Sequence, residues 1–401
     1  MERVLIITDL SIRRQIRVSN MSRALSEAGC QVRCLCLDPE TKSTAGDLEI
    51  EDNVEVRHVK VGRIGAKAVA LSADCSLYGR LISRAIAREI EDFRPDILHV
   101  YNIYVWPGVE RAIKRLRPKI IVLDIAENLP EIIQEYAFSK KGLGRLLISH
   151  RRWVALEERA VVAANRLVFV TDEASSECRS RVGFSAEKSV VLSNYIWPDD
   201  LGAFESRELE KRFEGQFVLL YFGDTSLRRG TESLLKGFSL AAAKYDNLQL
   251  VLVGNSKQEQ HVLANLKRTL PHGERIHLEG FQPLNSIGGY LHVSKVGVCP
   301  ILRNTHHDTT HANKLFQYLH AGLALIVSDC PSQTALVQAT GSGLIHRAND
   351  PKSISSAILK LRSSSAQLEA FRSSASSSIN AGHNWPDAIQ RYLQSVRTML
   401  N

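Results

Sequence analysis

The sequence predicts an α/β protein built from two doubly wound units in succession, and three observations carry that reading. The chain opens as strand, helix, strand. The same pattern restarts past its middle, and 401 residues exceed what one ordinary core takes up. In the first half VLIIT (4–8) reads as a buried strand, a helix runs from Ser19 to Ala28 with Gly29 as its stop, and QVRCLCL is the second strand. The apolar runs DILHVY, IIVLDIA, RLVFVTD and SVVLSN supply further strands, with helical spacing at 81–93, 109–116 and 154–164 between them. In the second half FVLLYFGD is a strand, TESLLKGFSLAAAKY a helix, and LQLVLVGN, RIHLEG, VGVCPI and ALIVSD are strands. Turn residues between Trp197 and Phe213 mark the junction, which sets the domains at 1–200 and 207–383. The serine-rich stretch 363–378 keeps apolar spacing and reads as surface helix.

Net charge of +8 favours anionic partners such as nucleotides, lipid phosphates or an acidic membrane face. Zinc-finger spacing, a recognition-helix pattern and aromatic residues interleaved with basic ones are all missing, which argues against nucleic acid. Seven cysteines form neither a CxxC pair nor a disulfide framework, so buried reduced thiols are expected. No run approaches the roughly 20 apolar residues of a membrane span, and Met1 to Leu10 holds a core strand rather than a signal segment. A cytoplasmic protein is expected.

The segment HANKLFQYLHAG (311–322) follows an acceptor-rich loop, HHDTT, and precedes the strand LALIVSD. A helix start therefore sits beside a strand end, where free N–H groups at Asn313 and Lys314 and the lysine charge favour a phosphate. Gln317, one turn in, is placed to touch the rest of a nucleotide. A second signal is YFGDTSLRRG (221–230): a strand ending in Gly223 lets a ligand approach the backbone, and Arg228 and Arg229 carry charge suited to a diphosphate. The alternative for that loop alone is two solvated arginines.

HANKLFQYLHAG resembles the donor-site motif of retaining family 4 glycosyltransferases of the GT-B fold. That resemblance implies two Rossmann-like domains facing across a cleft, with a last helix from Pro386 to Leu400 that assigns 384–401 to the first domain. It implies a nucleotide-sugar donor, such as a UDP- or GDP-sugar, with no further cofactor. In the family a motif glutamate grips the ribose and an earlier glutamate contacts the sugar. Here those positions are Gln317 and Thr309. Arg229-Gly230 matches the family's basic-Gly pair, while Asp224 stands where some members carry a basic residue. Donor contacts are thus expected from Gly223, Asp224, Arg228, Asn255, Phe281, Asn313, Leu315 and Gln317, with Arg229 and Lys314 stabilising the departing diphosphate.

In the first domain DIAENLPE (124–131) is similar to a family segment whose histidine is here Ala126. Glu127 and Glu131 remain, to orient or deprotonate an acceptor hydroxyl, or to cap the following helix. Arg17 has two readings as well, acceptor phosphate binding or surface charge. His306, His307, Asp308 and His311 could ligate a metal or hydrogen-bond a sugar; no metal is expected, because basic residues supply the diphosphate's counter-charge. The basic amphipathic stretch 139–153 can lie on an anionic bilayer or pack on its domain. The resulting expectation is a metal-independent, retaining transferase acting on a saccharide or lipid-linked acceptor, cytoplasmic or peripheral at the inner membrane face. The competing expectation is a non-catalytic homologue that binds a nucleotide or partner protein. No motif supports a sugar-nucleotide epimerase.

Overall fold

A computed structural model of the protein describes residues 1–38, 48–51, 53–61, 76–116, 118–135, 149–254 and 260–400. These form two compact units, Met1–Ser193 with Trp385–Asn401, and Asn194–Asn384. In the first, β1 (Arg3–Thr8), β2 (Gln31–Cys36), β3 (Leu48–Glu51), β4 (Val54–His58), β5 (Ile97–Tyr101), β6 (Ile120–Ile125), β7 (Arg166–Phe169) and β8 (Ser189–Val191) make one sheet in the order β3-β4-β2-β1-β5-β6-β7-β8. All pairs are parallel except β3 with β4. The interior strands β5 and β6 are buried along their whole length, as strands covered by helices on both faces must be. That continuous burial is why they read as unbroken apolar runs.

The antiparallel β3–β4 pair was not foreseen. Leu48 and Ile50 of this edge strand face solvent, so the inward apolar alternation that marks a half-buried strand is absent. The helix after β1 spans Ile16–Glu27, starting earlier than Ser19. Cys30, Cys34, Cys36, Cys178, Cys299 and Cys330 are free and buried, as expected, and Cys75 lies outside the described residues.

The second unit holds β9 (Phe217–Phe222), β10 (Leu248–Val253), β11 (Ile276–Leu278), β12 (Val296–Cys299), β13 (Ala324–Ser328) and β14 (Gly343–His346) in the order β11-β10-β9-β12-β13-β14, all parallel. Strand order reverses between β9 and β12, and crevices for ligands open at the carboxyl ends of strands at such a point. β9 and β12 pair only through Val296 with Leu219 and Gly297 with Leu220, then splay. The Tyr318 hydroxyl fills the splay. It donates to Leu220 O at 3.1 Å and accepts from Phe222 N at 3.3 Å. A side chain on Gly297 would meet the Tyr318 ring at 2.3 Å, so the helix Lys314–His320 is seated directly on the switch point.

The serine-rich region forms two helices, Pro351–Ser363 and Ser365–Asn380, capped by the Asp350 and Ser364 side chains. The last helix, Trp385–Arg397, packs in the first unit, where Tyr392 Oη lies 3.0 Å from His99 Nδ1 and Arg397 holds Glu2 at 2.6 Å. Residues 197–213 are packed into the second unit, with Trp197, Leu201 and Phe213 buried.

Candidate functional site

Gly223 follows β9, and its φ of +109° is open to glycine at little cost. Asp224 then organises the loop. Its carboxylate accepts from Ser226 N and Ser226 Oγ, both at 3.0 Å, from Arg228 Nη2 at 3.0 Å and from Arg229 Nε at 3.4 Å. Burial alone would push this carboxyl up, but the Ser226 and arginine bonds outweigh it and hold it below the ordinary aspartate value. Asp224 is therefore a positioning group for the two arginines; direct contact with an anionic ligand, as the sequence reading had it, would set like charges together.

Gly254, at the end of β10, packs against this loop. A Cβ there would fall 1.8 Å from Gly223 O, and its φ is +151°. Asn255, next along, lies outside the described residues.

Lys314 is the central group. Its side chain enters from the helix Lys314–His320 and puts Nζ 3.5 Å from the centroid of the Tyr221 ring, beside Gly223, where a Cβ would stand 3.5 Å from Nζ. Lys314 is only 9% exposed, and no carboxylate or hydrogen-bond acceptor pairs with it among the described residues. Burial, opposed by Cys299 and Asp224 and assisted by Arg229, pushes its pKa down to about 8. A buried cation without a counter-ion is costly, and an anion against Gly223 would relieve that cost.

Arg229 extends the site to the HHDTT loop. Its Nη1 lies 3.2 Å from His307 Nε2. Since arginine only donates, Nε2 accepts, and the proton sits on Nδ1, donated to Leu302 O at 2.6 Å. His306 is driven down to about 3 by burial and by its His307 and arginine neighbours, and its Nδ1 is buried without a partner among the described residues. His311 is pushed down to about 4 by burial and bonds Ser332 O at 3.1 Å. Asp308 is taken by Arg303 at 2.7 and 2.8 Å. The histidine cluster thus does not converge on one point. Among the described residues the group whose ligand atoms do converge is elsewhere, at Glu49, Glu51 and His58.

Gln317 is 6% exposed, and its amide makes no hydrogen bond among the described residues. Thr309 turns its hydroxyl onto Thr305 O at 2.9 Å. Asn313 is exposed at the helix start. Leu315, expected to contact a ligand, is fully buried and its N–H goes to Ala312 O, which leaves it a packing role. Phe281 is 71% exposed on the loop after β11. What sequence reasoning missed in this unit is the Tyr221 ring under Lys314 and the Arg229–His307 link. Neither partner lies close in the chain to the group it supports.

In the first unit, Arg17 pairs in bidentate fashion with Asp124, both bonds at 2.9 Å, and both side chains are buried. This corrects both earlier readings of Arg17: it is neither a surface charge nor open to a phosphate. Ala126 is held by its N–H to Asn102 Oδ1 at 3.2 Å. Glu127 is exposed at the end of β6, and Glu131 pairs with His150 at 2.8 Å. Asp9, after β1, was overlooked. Burial, reinforced by Glu127 and Asp38, raises it to about 6, so Asp9 and Glu127 both stand at these strand ends. Residues 139–148 of the basic stretch lie outside the described residues, and Trp153 is core.

The family described as Glycosyl transferases group 1 matches residues 216–364, and the Glycosyl transferase 4-like domain matches 15–195. A sucrose-phosphate synthase from Thermosynechococcus elongatus superposes with a TM-score of 0.75 at 14% identity, over 100% of this chain and 99% of that one. The α,α-trehalose 6-phosphate synthase from Burkholderia multivorans gives 0.72 at 13%, over 100% and 99%. Anabaena HepE in complex with UDP gives 0.69 at 13%, over 99% and 100%. At such identities the likeness shows the fold. No curated protein matches by sequence.

Proposed function

Because this chain belongs to the group 1 glycosyltransferases of the GT-B fold, we propose that it moves a sugar from a nucleotide-diphosphate sugar, of the UDP or GDP type, to a saccharide or lipid-linked acceptor. The observation that carries this reading is the buried Lys314 beside Gly223, which has no ion-pair partner among the described residues, with Arg229 alongside. Two arginines and a lysine supply the counter-charge of a diphosphate, so the transfer needs no metal. As the sugar's C1–O bond to the β-phosphate breaks, these cations take up the charge that develops on the leaving oxygen. The acceptor oxygen bonds C1 on the same face while its proton passes to the departing phosphate oxygen, and the configuration is retained. Glu127 and Asp9 are the groups proposed to orient the acceptor hydroxyl. Arg229→Ala should weaken binding of UDP or GDP at least about tenfold by calorimetry, the worth of one charge-assisted bond; unchanged affinity would remove Arg229 from the site.

A second reading, a non-catalytic nucleotide binder, is favoured by the missing carboxylates at Gln317 and Thr309 and the missing imidazole at Ala126. Gln317→Glu separates the two. A working amide, donating to one ribose hydroxyl and accepting from the other, predicts a loss of transfer on this change. A gain of transfer would indicate a site that has lost its activity.

Two adjacent helices of the first unit support an anionic membrane surface. Arg80, Arg84 and Arg88 line one exposed face of Ser76–Phe93, and Arg111 of Trp106–Ile113 lies over Gly79. None of the four has an ion pair among the described residues, and no described helix is long and apolar enough to cross a membrane. The double variant Arg84→Glu with Arg88→Glu should lose at least about tenfold in sedimentation with phosphatidylglycerol vesicles. Equal binding to neutral phosphatidylcholine would argue against this surface.

A further inference from the structure

We propose that Glu49, Glu51 and His58 form a binding site for a divalent transition metal of the zinc type at the β3 end of the first unit's sheet. The strand register brings the three together. Glu49 stands opposite Val56 and Glu51 opposite Val54, so both glutamates project from the face that also carries His58, two residues beyond Val56. One ligand atom from each lies within 4.8 Å of the other two.

His58 points to a ligand independently of the acids. Its side chain is 94% buried, at 6% exposure, and its ring makes no hydrogen bond or ion pair among the described residues, Nδ1 being wholly enclosed. A buried imidazole is ordinarily satisfied by hydrogen bonding, and here the polar atoms it faces are too far for a direct bond. An ion between them would close the gap. Neighbouring ligands on tetrahedral zinc stand roughly 3.3 Å apart, so the two glutamates, neither of them buried, need rotate inward by only about 1–1.5 Å. One imidazole nitrogen and two carboxylate oxygens, with water as the fourth ligand, suit zinc better than magnesium or calcium, which favour all-oxygen sites.

A guanidinium now occupies part of the site. Arg13 holds Glu51 through Nη2 at 3.0 Å and Nε at 3.2 Å, and its side chain is 74% exposed, so the pair is weak enough for an ion to displace. Arg13 belongs to the turn Ile12–Arg14 that links β1 to the helix Ile16–Glu27. Metal binding would free that arginine beside the carboxyl end of β1, where Asp9 lies, and so couple the sheet edge to the first unit's strand ends.

Calorimetric titration of the metal-free, full-length chain with zinc chloride tests this. One saturable site is expected. Glu49→Gln and Glu51→Gln, both changes at unburied side chains, should each weaken it at least about tenfold, and Arg13→Ala should tighten it severalfold by removing the competing cation. Absence of saturable binding up to about 1 mM zinc would overturn the site. So would an affinity left unchanged by both glutamate variants, or one weakened by Arg13→Ala.

Discussion

Replacing Lys314 with Met is expected to weaken the binding of a nucleotide diphosphate about a hundredfold, while making the unliganded protein more stable. Both effects have one cause. The ammonium is 9% exposed, lies over the Tyr221 ring and has no counter-ion among the described residues, so the free protein carries an unrelieved charge. Met keeps the length and apolar stem and removes the charge. The folded-state pKa, pushed down to about 8, lies below the unfolded lysine value, so the charged form costs stability at neutral pH. That cost fades as the pH rises from about 8 toward the unfolded value near 10.4. The stability gain of Lys314→Met should therefore be on the order of 1–3 kcal/mol at pH 7 and absent above about pH 10. Thermal unfolding at the two pH values checks the first effect, and titration with UDP or GDP the second. A variant that is destabilised at pH 7 would mean that the lysine is already satisfied in the free protein.

Asp124→Ala should destabilise the first unit by about 3–5 kcal/mol, because it takes away the buried carboxylate that pairs with the Arg17 guanidinium. The pair is bidentate at 2.9 Å, and Asp124 Oδ2 also stands 3.5 Å from His99 Nε2, whose ring reaches Tyr392 on the last helix. Burial would raise the Asp124 pKa, but Arg17 and His99 together hold it below the ordinary value. With the folded pKa depressed, the stabilisation is fully present above the unfolded value near 4 and is lost as the pH falls below it. Replacing both partners, Arg17→Met with Asp124→Leu, should restore most of the loss, since the cost of a broken buried pair lies in the charge left behind. A calorimetric scan of the three proteins reads this directly. If Asp124→Ala melts like the parent, the pair carries no weight in the fold.

Much of the fold could be read in the sequence because parallel strands covered on both faces leave unbroken apolar runs, as in IIVLDI and FVLLYF. β3 escaped because this edge strand shows solvent its apolar residues Leu48 and Ile50, β4 because its five residues carry only Val54 and Val56 as apolar signal, and β14 because its four residues include no more than Leu344 and Ile345. Within the candidate site, Gly223, Arg229 and Lys314 were legible from strand-end glycine and helix-start chemistry, and the structure brings Arg229 and Lys314 around the same loop. The partners were not legible. Asp124 lies 107 positions from Arg17 and His307 lies 78 from Arg229, separations that no local pattern encodes. Asp9 was missed for a different reason: its raised pKa comes from burial and from Glu127 and Asp38, which only the folded strand ends bring near it.

The anion proposed to bind at Gly223 is a nucleotide diphosphate held by Lys314. Titrating UDP, and GDP in parallel, at pH 8 in two buffers of different ionisation enthalpy measures the protons exchanged on binding. Lys314, near half-protonated in the free protein, should be driven to full charge by the diphosphate, so uptake of roughly half a proton is expected, and Lys314→Met should abolish it. Failure of both nucleotides to bind, or binding with the same proton uptake in the variant, would contradict the account.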